Sequence, residues 1–230
     1  MKKYSAFSLV EMLITIVIMG MVMLIASVTL TTLIKISTVS SNKTRTRNET
    51  EFVLELVRRT VRNSNPSDVF VYSTVDARTY NSETGLVENR PEIVDISNEY
   101  ANGLGVGVIG SEIHFRPYGY TNWICIGFFE DKNNEDMGYI LKTSTKDLSN
   151  QHENCFDSTL PDYLKYTIML NSEYVDINSF EISYTETIGS NYLFRFSISA
   201  EPVDWYLAPG APIKREIVRQ AVVSTEGLMW

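Results

Sequence analysis

Few residues in this chain have the types and spacing that chemistry needs: 230 residues include two cysteines and two histidines. Cys125 and Cys155 lie 30 positions apart. Two readings are open to them: one disulfide tying a strand to the segment 144–161, or two unpaired thiols, Cys125 between Ile124 and Ile126 and Cys155 in a polar loop. No C-x-x-C and no paired histidine spacing accompanies them, so neither a zinc site nor a cofactor is expected. His114 and His152 have no G-x-S-x-G serine or positioned carboxylate nearby, which leaves a hydrolytic triad without support. Asp131, Asn133 and Glu135 could gather oxygen ligands for calcium, yet Lys142 stands where an EF-hand loop needs its bidentate glutamate, and a solvated hairpin tip is the simpler reading. Gly105, Gly107 and Gly110 have dinucleotide-loop spacing, but the strand-like run Glu112–Pro117 comes after them instead of a helix. Asn42 and Asn48 each begin a low-specificity glycosylation pattern. No catalytic residue is expected, and the chain reads as a non-enzyme.

The carboxylate of Glu11 is different, because it stands directly before a long apolar run. From Met12 to Ile34 there are 23 residues without a charge, enough for a helix of roughly 35 Å that crosses a bilayer core. A secretory signal normally has an apolar region of about 7–15 residues ending in a small-x-small cleavage site, and this stretch has neither property. A carboxylate in the first turn of such a helix is favoured by the helix dipole. Deeper in lipid, an acidic side chain costs about 2.5–3.5 kcal/mol, so it seeks a cationic partner. Lys2 and Lys3 precede the span, whereas Lys35, Lys43, Arg45 and Arg47 lie after it. Counting basic residues therefore does not by itself set the orientation. The 20 Lys and Arg against 28 Asp and Glu give a net charge of -8, and no nucleic-acid partner is expected.

The segment Lys2-Lys3-Tyr4-Ser5-Ala6-Phe7-Ser8-Leu9-Val10-Glu11 resembles the class III leader of type IV pilins and pseudopilins. The resemblance implies a leader of residues 1–6, cut between Ala6 and Phe7 by a prepilin peptidase on the cytoplasmic face, and N-methylation of the new terminus at Phe7. It implies that Glu11 registers each subunit against the terminal amine of a neighbour in a helical filament. Gly20 falls at the usual mid-helix glycine. Ala6 departs from the family's nearly invariant glycine, which bears on cleavage efficiency, and Val28 replaces the helix-breaking proline common in major pilins. The implied partners are other pilins or pseudopilins, the inner-membrane assembly platform and the lipid bilayer. The implied location is the inner membrane and later a filament, near its tip. The soluble part would then face an oxidising compartment, which favours the Cys125–Cys155 disulfide; closing about 31 residues contributes roughly 3.7 kcal/mol in a chain-entropy account.

The elements that must position these residues can also be read. A membrane helix over 7–34 is expected to continue as an amphipathic extension over 35–65. Its apolar face would carry Phe52, Val53, Leu56, Val57 and Val61, and it would stop at Asn65-Pro66. The polar run 37–44 is poor in strong helix formers and allows a joint there. Residues 66–230 alternate in the manner of an antiparallel sheet, with strands at 69–75, 111–116, 123–129, 137–143, 166–170, 179–187, 192–200 and 213–224. The clearest is a hairpin. Phe180, Ile182 and Tyr184 alternate with polar residues, a turn comes at Gly189-Ser190-Asn191, and Tyr192, Phe194, Phe196 and Ile198 alternate again. The fold class is therefore α+β, a long N-terminal helix packed on an antiparallel sheet, and by resemblance pilin-like. The size of the β domain, the Glu-Leu-Val-Arg-Arg run at 55–59 and a closing strand ending at Trp230 look most similar to the J-type pseudopilin of type II secretion or the W-type minor pilin. That resemblance implies a subunit that primes or caps a filament. The rival from another class is an uncleaved, single-pass anchored binding or adhesin domain.

Overall fold

The computed structural model describes residues 8–92, 103–134, 137–146, 155–156, 166–187, 191–203 and 216–225. Among the described residues, one helix, α1 (Leu9–Arg62), is followed by ten strands: β1 (Ser64–Tyr72), β2 (Arg78–Asn81), β3 (Leu86–Asn89), β4 (Glu112–Pro117), β5 (Asn122–Glu130), β6 (Gly138–Lys146), β7 (Ile168–Met169), β8 (Val175–Glu186), β9 (Tyr192–Pro202) and β10 (Ile217–Ser224). The α+β layout expected from the sequence is the one observed, and it is consistent with the pilin fold.

The helix runs without interruption through 37–44, where the polar composition allowed a joint. Thr38 and Thr44 return their hydroxyls to the carbonyls of Ile34 and Ser40 at 3.0 and 2.9 Å, satisfying their own polar groups on the helix surface. Every residue from Leu9 to Ile34 is exposed. Burial starts at Thr46 and continues through Thr50, Val53, Leu54, Val57 and Val61, a spacing of three and four that paints one stripe. The stripe is turned from the expected face. Leu54 is buried and Phe52 is 57% exposed, because the small side chains of Thr46 and Thr50 set the contact line and bring Leu54 inward. Their hydroxyls bond Asn42 and Thr46 carbonyls at 3.0 and 2.9 Å, so they are buried without an unmet donor.

The helix stops at Arg62, ahead of the expected proline stop, and β1 opens at Ser64. Pro66 is accommodated because β1 is an edge strand whose pairing with β4 shifts register between Ser64 and Val69. The five-stranded antiparallel sheet runs β1-β4-β5-β6-β7, the three-stranded sheet β10-β9-β8, and β2-β3 form a separate hairpin. One face of the larger sheet joins the helix stripe and the smaller sheet in the main core, through Ile113, Phe115, Ile126, Ile140, Phe180 and Phe196. Its other face forms a second core of Trp123, Cys125, Phe129, Tyr139, Leu141 and Phe156, capped by Tyr80 and Val87 from the hairpin.

Polar side chains lock these layers at two places. Buried Asn171 accepts from Ile140 N–H at 2.8 Å and donates to the carbonyls of Gly138 and Val175 at 3.1 and 2.8 Å. Beside it, β6 approaches β8 so closely that a Cβ on Gly138 would lie 2.0 Å from the Ile177 carbonyl oxygen, so only glycine fits. The helix is tied down by Glu49, whose carboxylate accepts from Ser172 N–H and Oγ at 2.8 Å each. Arg45 lies 4.4 Å over the Tyr174 ring.

Candidate functional site

The N-terminal end of α1 is built by Ser8 and Glu11. The Ser8 hydroxyl accepts from Glu11 N–H at 3.2 Å, while Ser8 N–H donates to Glu11 Oε2 at 3.1 Å, forming a reciprocal capping box. Ser8 and Glu11 thus start the helix and hold a carboxylate at its positive end. From there α1 is long and apolar enough to cross a membrane, with a mean hydropathy of 2.6 over its most apolar 18 residues and none of that window buried. Thr29, Thr31 and Thr32 bond i-4 carbonyls at 2.8, 2.9 and 2.9 Å, which lets them stand on an apolar surface. A Cβ added at Gly20 would meet nothing within 4 Å in this chain. Ala6 and Phe7, the expected cleavage and methylation positions, lie outside the described residues, as do His152 and Trp230.

The second face of the larger sheet carries a buried polar cluster. Strand pairing sets His114 opposite Cys125, and Cys125 is joined to Cys155 with Cα atoms 6.1 Å apart. His114 Nε2 lies 2.5 Å from Glu112 Oε1, and the Thr74 hydroxyl donates to the other carboxylate oxygen. Arg78 Nη1 donates to the Cys155 carbonyl at 3.2 Å. The rings of Tyr72 and His114 sit 4.8 Å apart. Burial pushes the Glu112 carboxyl up. The hydrogen bond and charge of His114, the field of Arg78 and the Thr74 hydroxyl outweigh that push and hold the carboxyl below its ordinary value of 4.5.

This cluster was invisible to linear motifs, because its members come from positions 74, 78, 112, 114, 125 and 155. Only the alternation along β4 and the β4-β5 register could have signalled it.

The remaining candidates separate. Asp131 accepts from Asn133 N–H at 3.1 Å and from Ser82 N–H at 3.4 Å, and Asn133 donates to Asn81 at 3.1 Å. These contacts build a turn against the β2-β3 hairpin. Glu135, the third of the calcium candidates, lies outside the described residues. Gly105 and Gly107 lie on an exposed turn, and Gly110 bridges to Ile182 before β4, so no helix opens at the glycine run.

An exposed apolar helix capped by Ser8 and Glu11 on a β-rich body fits membrane anchoring. The comparison with protein families gives the same direction: residues 1–27 match the prokaryotic N-terminal methylation motif, a type IV pilin-like signal. No curated protein and no solved structure matches the chain. The motif supports a type IV pilin-like or pseudopilin-like precursor, a structural class whose members are processed by prepilin peptidase and assemble with other pilins. Together with the apolar helix it fits membrane anchoring.

Proposed function

We propose that the chain is a minor pilin or pseudopilin that primes or caps a type IV pilus or a type II secretion pseudopilus. The observation that carries this is the methylation motif at residues 1–27 running into an apolar helix half that is exposed throughout among the described residues. In this reading, residues 1–6 are removed between Ala6 and Phe7, and the Phe7 amine is methylated. The Glu11 carboxylate exchanges Ser8 N–H for the terminal amine of a neighbouring subunit. The apolar surface of 12–34 first partitions into the inner membrane and then packs laterally in the filament. The β-rich body is bulky for every repeat of a thin filament, which supports a place near the tip, with the inner-membrane platform and other minor subunits as partners.

N-terminal peptide mass spectrometry on protein purified from the native membrane tests the reading. A terminus at Phe7 carrying one additional methyl group is the expected result. A terminus retaining Lys2, Lys3 and Tyr4 in a host with active prepilin peptidase would overturn it and leave an uncleaved anchored binding domain. Glu11→Ala is expected to abolish entry into filaments while leaving the amount of membrane-bound protein unchanged.

A further inference from the structure

We propose that the neck of α1, between its apolar half and the body, is a docking surface for anionic phospholipid headgroups of the bilayer that the apolar half enters. The proposal rests on the membrane reading of residues 12–34 and deepens it. Its starting point is charge. From Met12 to Asn48 there is no aspartate or glutamate, and Lys35, Lys43, Arg45 and Arg47 gather just beyond the apolar run, on a chain whose net charge is -8.

The unbroken helix fixes the height of each cation. At about 1.5 Å per residue, the backbone of Lys35 lies at the edge of the hydrocarbon, that of Lys43 about 14 Å beyond Ile34 and that of Arg47 about 20 Å beyond it. Headgroups fill roughly the first 5–8 Å outside the hydrocarbon. Lys35 therefore lies among them, and the long stem of Lys43 can turn down to their outer edge. Arg47 stays above that layer but within reach of its field, which fades over a Debye length of about 8–10 Å.

The surroundings leave these side chains to an outside anion. Lys43 and Arg47 are exposed, and among the described residues no carboxylate pairs with either. They stand four positions apart, where like charges on a helix repel each other unless something neutralises them. Arg45 is different: it lies 3.8 Å from Glu49 and over the Tyr174 ring, so it belongs to the body. Glu173, exposed on the same segment as Tyr174, is repelled by an anionic surface, so the contact falls to the neck. Continuity with the apolar half selects lipid phosphate as the anion, and each basic residue near such a surface strengthens binding about fivefold. The neck thus sets the depth of α1 and adds a charge lock that opens when the subunit leaves the bilayer.

The test uses the full-length chain in detergent, diluted into vesicles of phosphatidylcholine alone or of phosphatidylcholine mixed equally with phosphatidylglycerol, with the vesicle-bound fraction read by flotation. On net charge alone a chain at -8 is repelled by the anionic vesicles, so a preference for them isolates the neck. At low salt the anionic vesicles are expected to bind the chain roughly tenfold more tightly or better. In about 1 M salt, where the screening length is about 3 Å, the preference is expected to fall to about twofold or less. Lys35→Gln and Lys43→Gln are each expected to remove about fivefold of the preference, and Arg47→Gln about twofold. Arg59→Gln removes the same charge from the same helix about 38 Å beyond Ile34 and is expected to change nothing. Equal binding to both vesicles would overturn the proposal and leave the membrane reading standing. So would an effect of Arg59→Gln as large as that of Lys43→Gln, which would make the preference a matter of total charge. A chain that floats with neither vesicle would overturn the membrane reading and the proposal with it.

Discussion

The two halves of α1 obey opposite rules. From Leu9 to Ile34 every residue is exposed although most are apolar, while from Thr46 to Val61 a narrow stripe is fully buried and the charged residues stay outside. An apolar surface left exposed over this length marks a site of contact with lipid or with other helices. The second half is held by its body: Val53, Val57 and Val61 have no exposed surface. The first half therefore fits membrane anchoring, and the second carries the stability of the folded unit. The boundary between them lies at Arg45 and Glu49, where the helix first bonds to the segment 172–174.

The largest effect should come from a paired substitution that sets the halves against each other. Val57→Asp places a charge in the main core without a partner, a change expected to remove more than about 4–5 kcal/mol and unfold the body. Leu24→Asp is expected to leave thermal melting of the body unchanged, measured by near-ultraviolet circular dichroism, while weakening membrane partition by about 2.5–3.5 kcal/mol. Equal effects on melting would erase the distinction.

Replacing both cysteines by alanine should act on the body alone. The loss of a closed loop of about 31 residues is expected to lower stability by roughly 3.7 kcal/mol in denaturant titration, with membrane partition unchanged.

Glu49→Ala addresses the boundary. It removes two hydrogen bonds to Ser172 and is expected to cost about 1–3 kcal/mol, seen as faster amide exchange at Ser172 before global unfolding.

The smallest effect is alkaline. Burial, reinforced by the charge of Asp131, raises the hydroxyls of Tyr80 and Tyr139 above their ordinary 10.0. The unfolded chain then releases these protons first, so stability is complete below pH 10.0 and declines as pH rises through the raised values. A pH series of melting temperatures should show that decline in the body, with no matching change in the isolated apolar half's affinity for vesicles.

The long apolar helix could be read from the sequence because its 23 uncharged residues exceed the apolar region of about 7–15 residues of a secretory signal. The β8-β9 hairpin was legible because its alternation is uninterrupted from Phe180 to Glu186 and from Tyr192 to Ala200. The first residues of β8 were not. A register shift between Ile177 and Ser179 changes the phase, so buried Val175 and Ile177 fall out of step with Phe180 and Ile182. The β2-β3 hairpin escaped for another reason: its strands have four residues each, mostly polar, and its turn depends on Gly85 at a φ of 73°. The helix stripe was misplaced by one side chain, because periodicity alone weighted Phe52 above two threonines. Glu11 was legible from its position before an apolar run. The grouping of Glu112, His114 and the cysteines was not, since it depends on which residue of β4 faces which residue of β5.

The ties at Arg45 and Glu49 also have a mechanical meaning. From Thr46 to Glu11 an unbroken helix extends about 50 Å, so the body holds a rigid pointer by one end. Tilting that grip by about 10° would sweep the carboxylate through about 9 Å, nearly the width of one helix. Two hydrogen bonds and a stacked guanidinium near the neck thus decide where in its surroundings a charge about nine turns away is delivered.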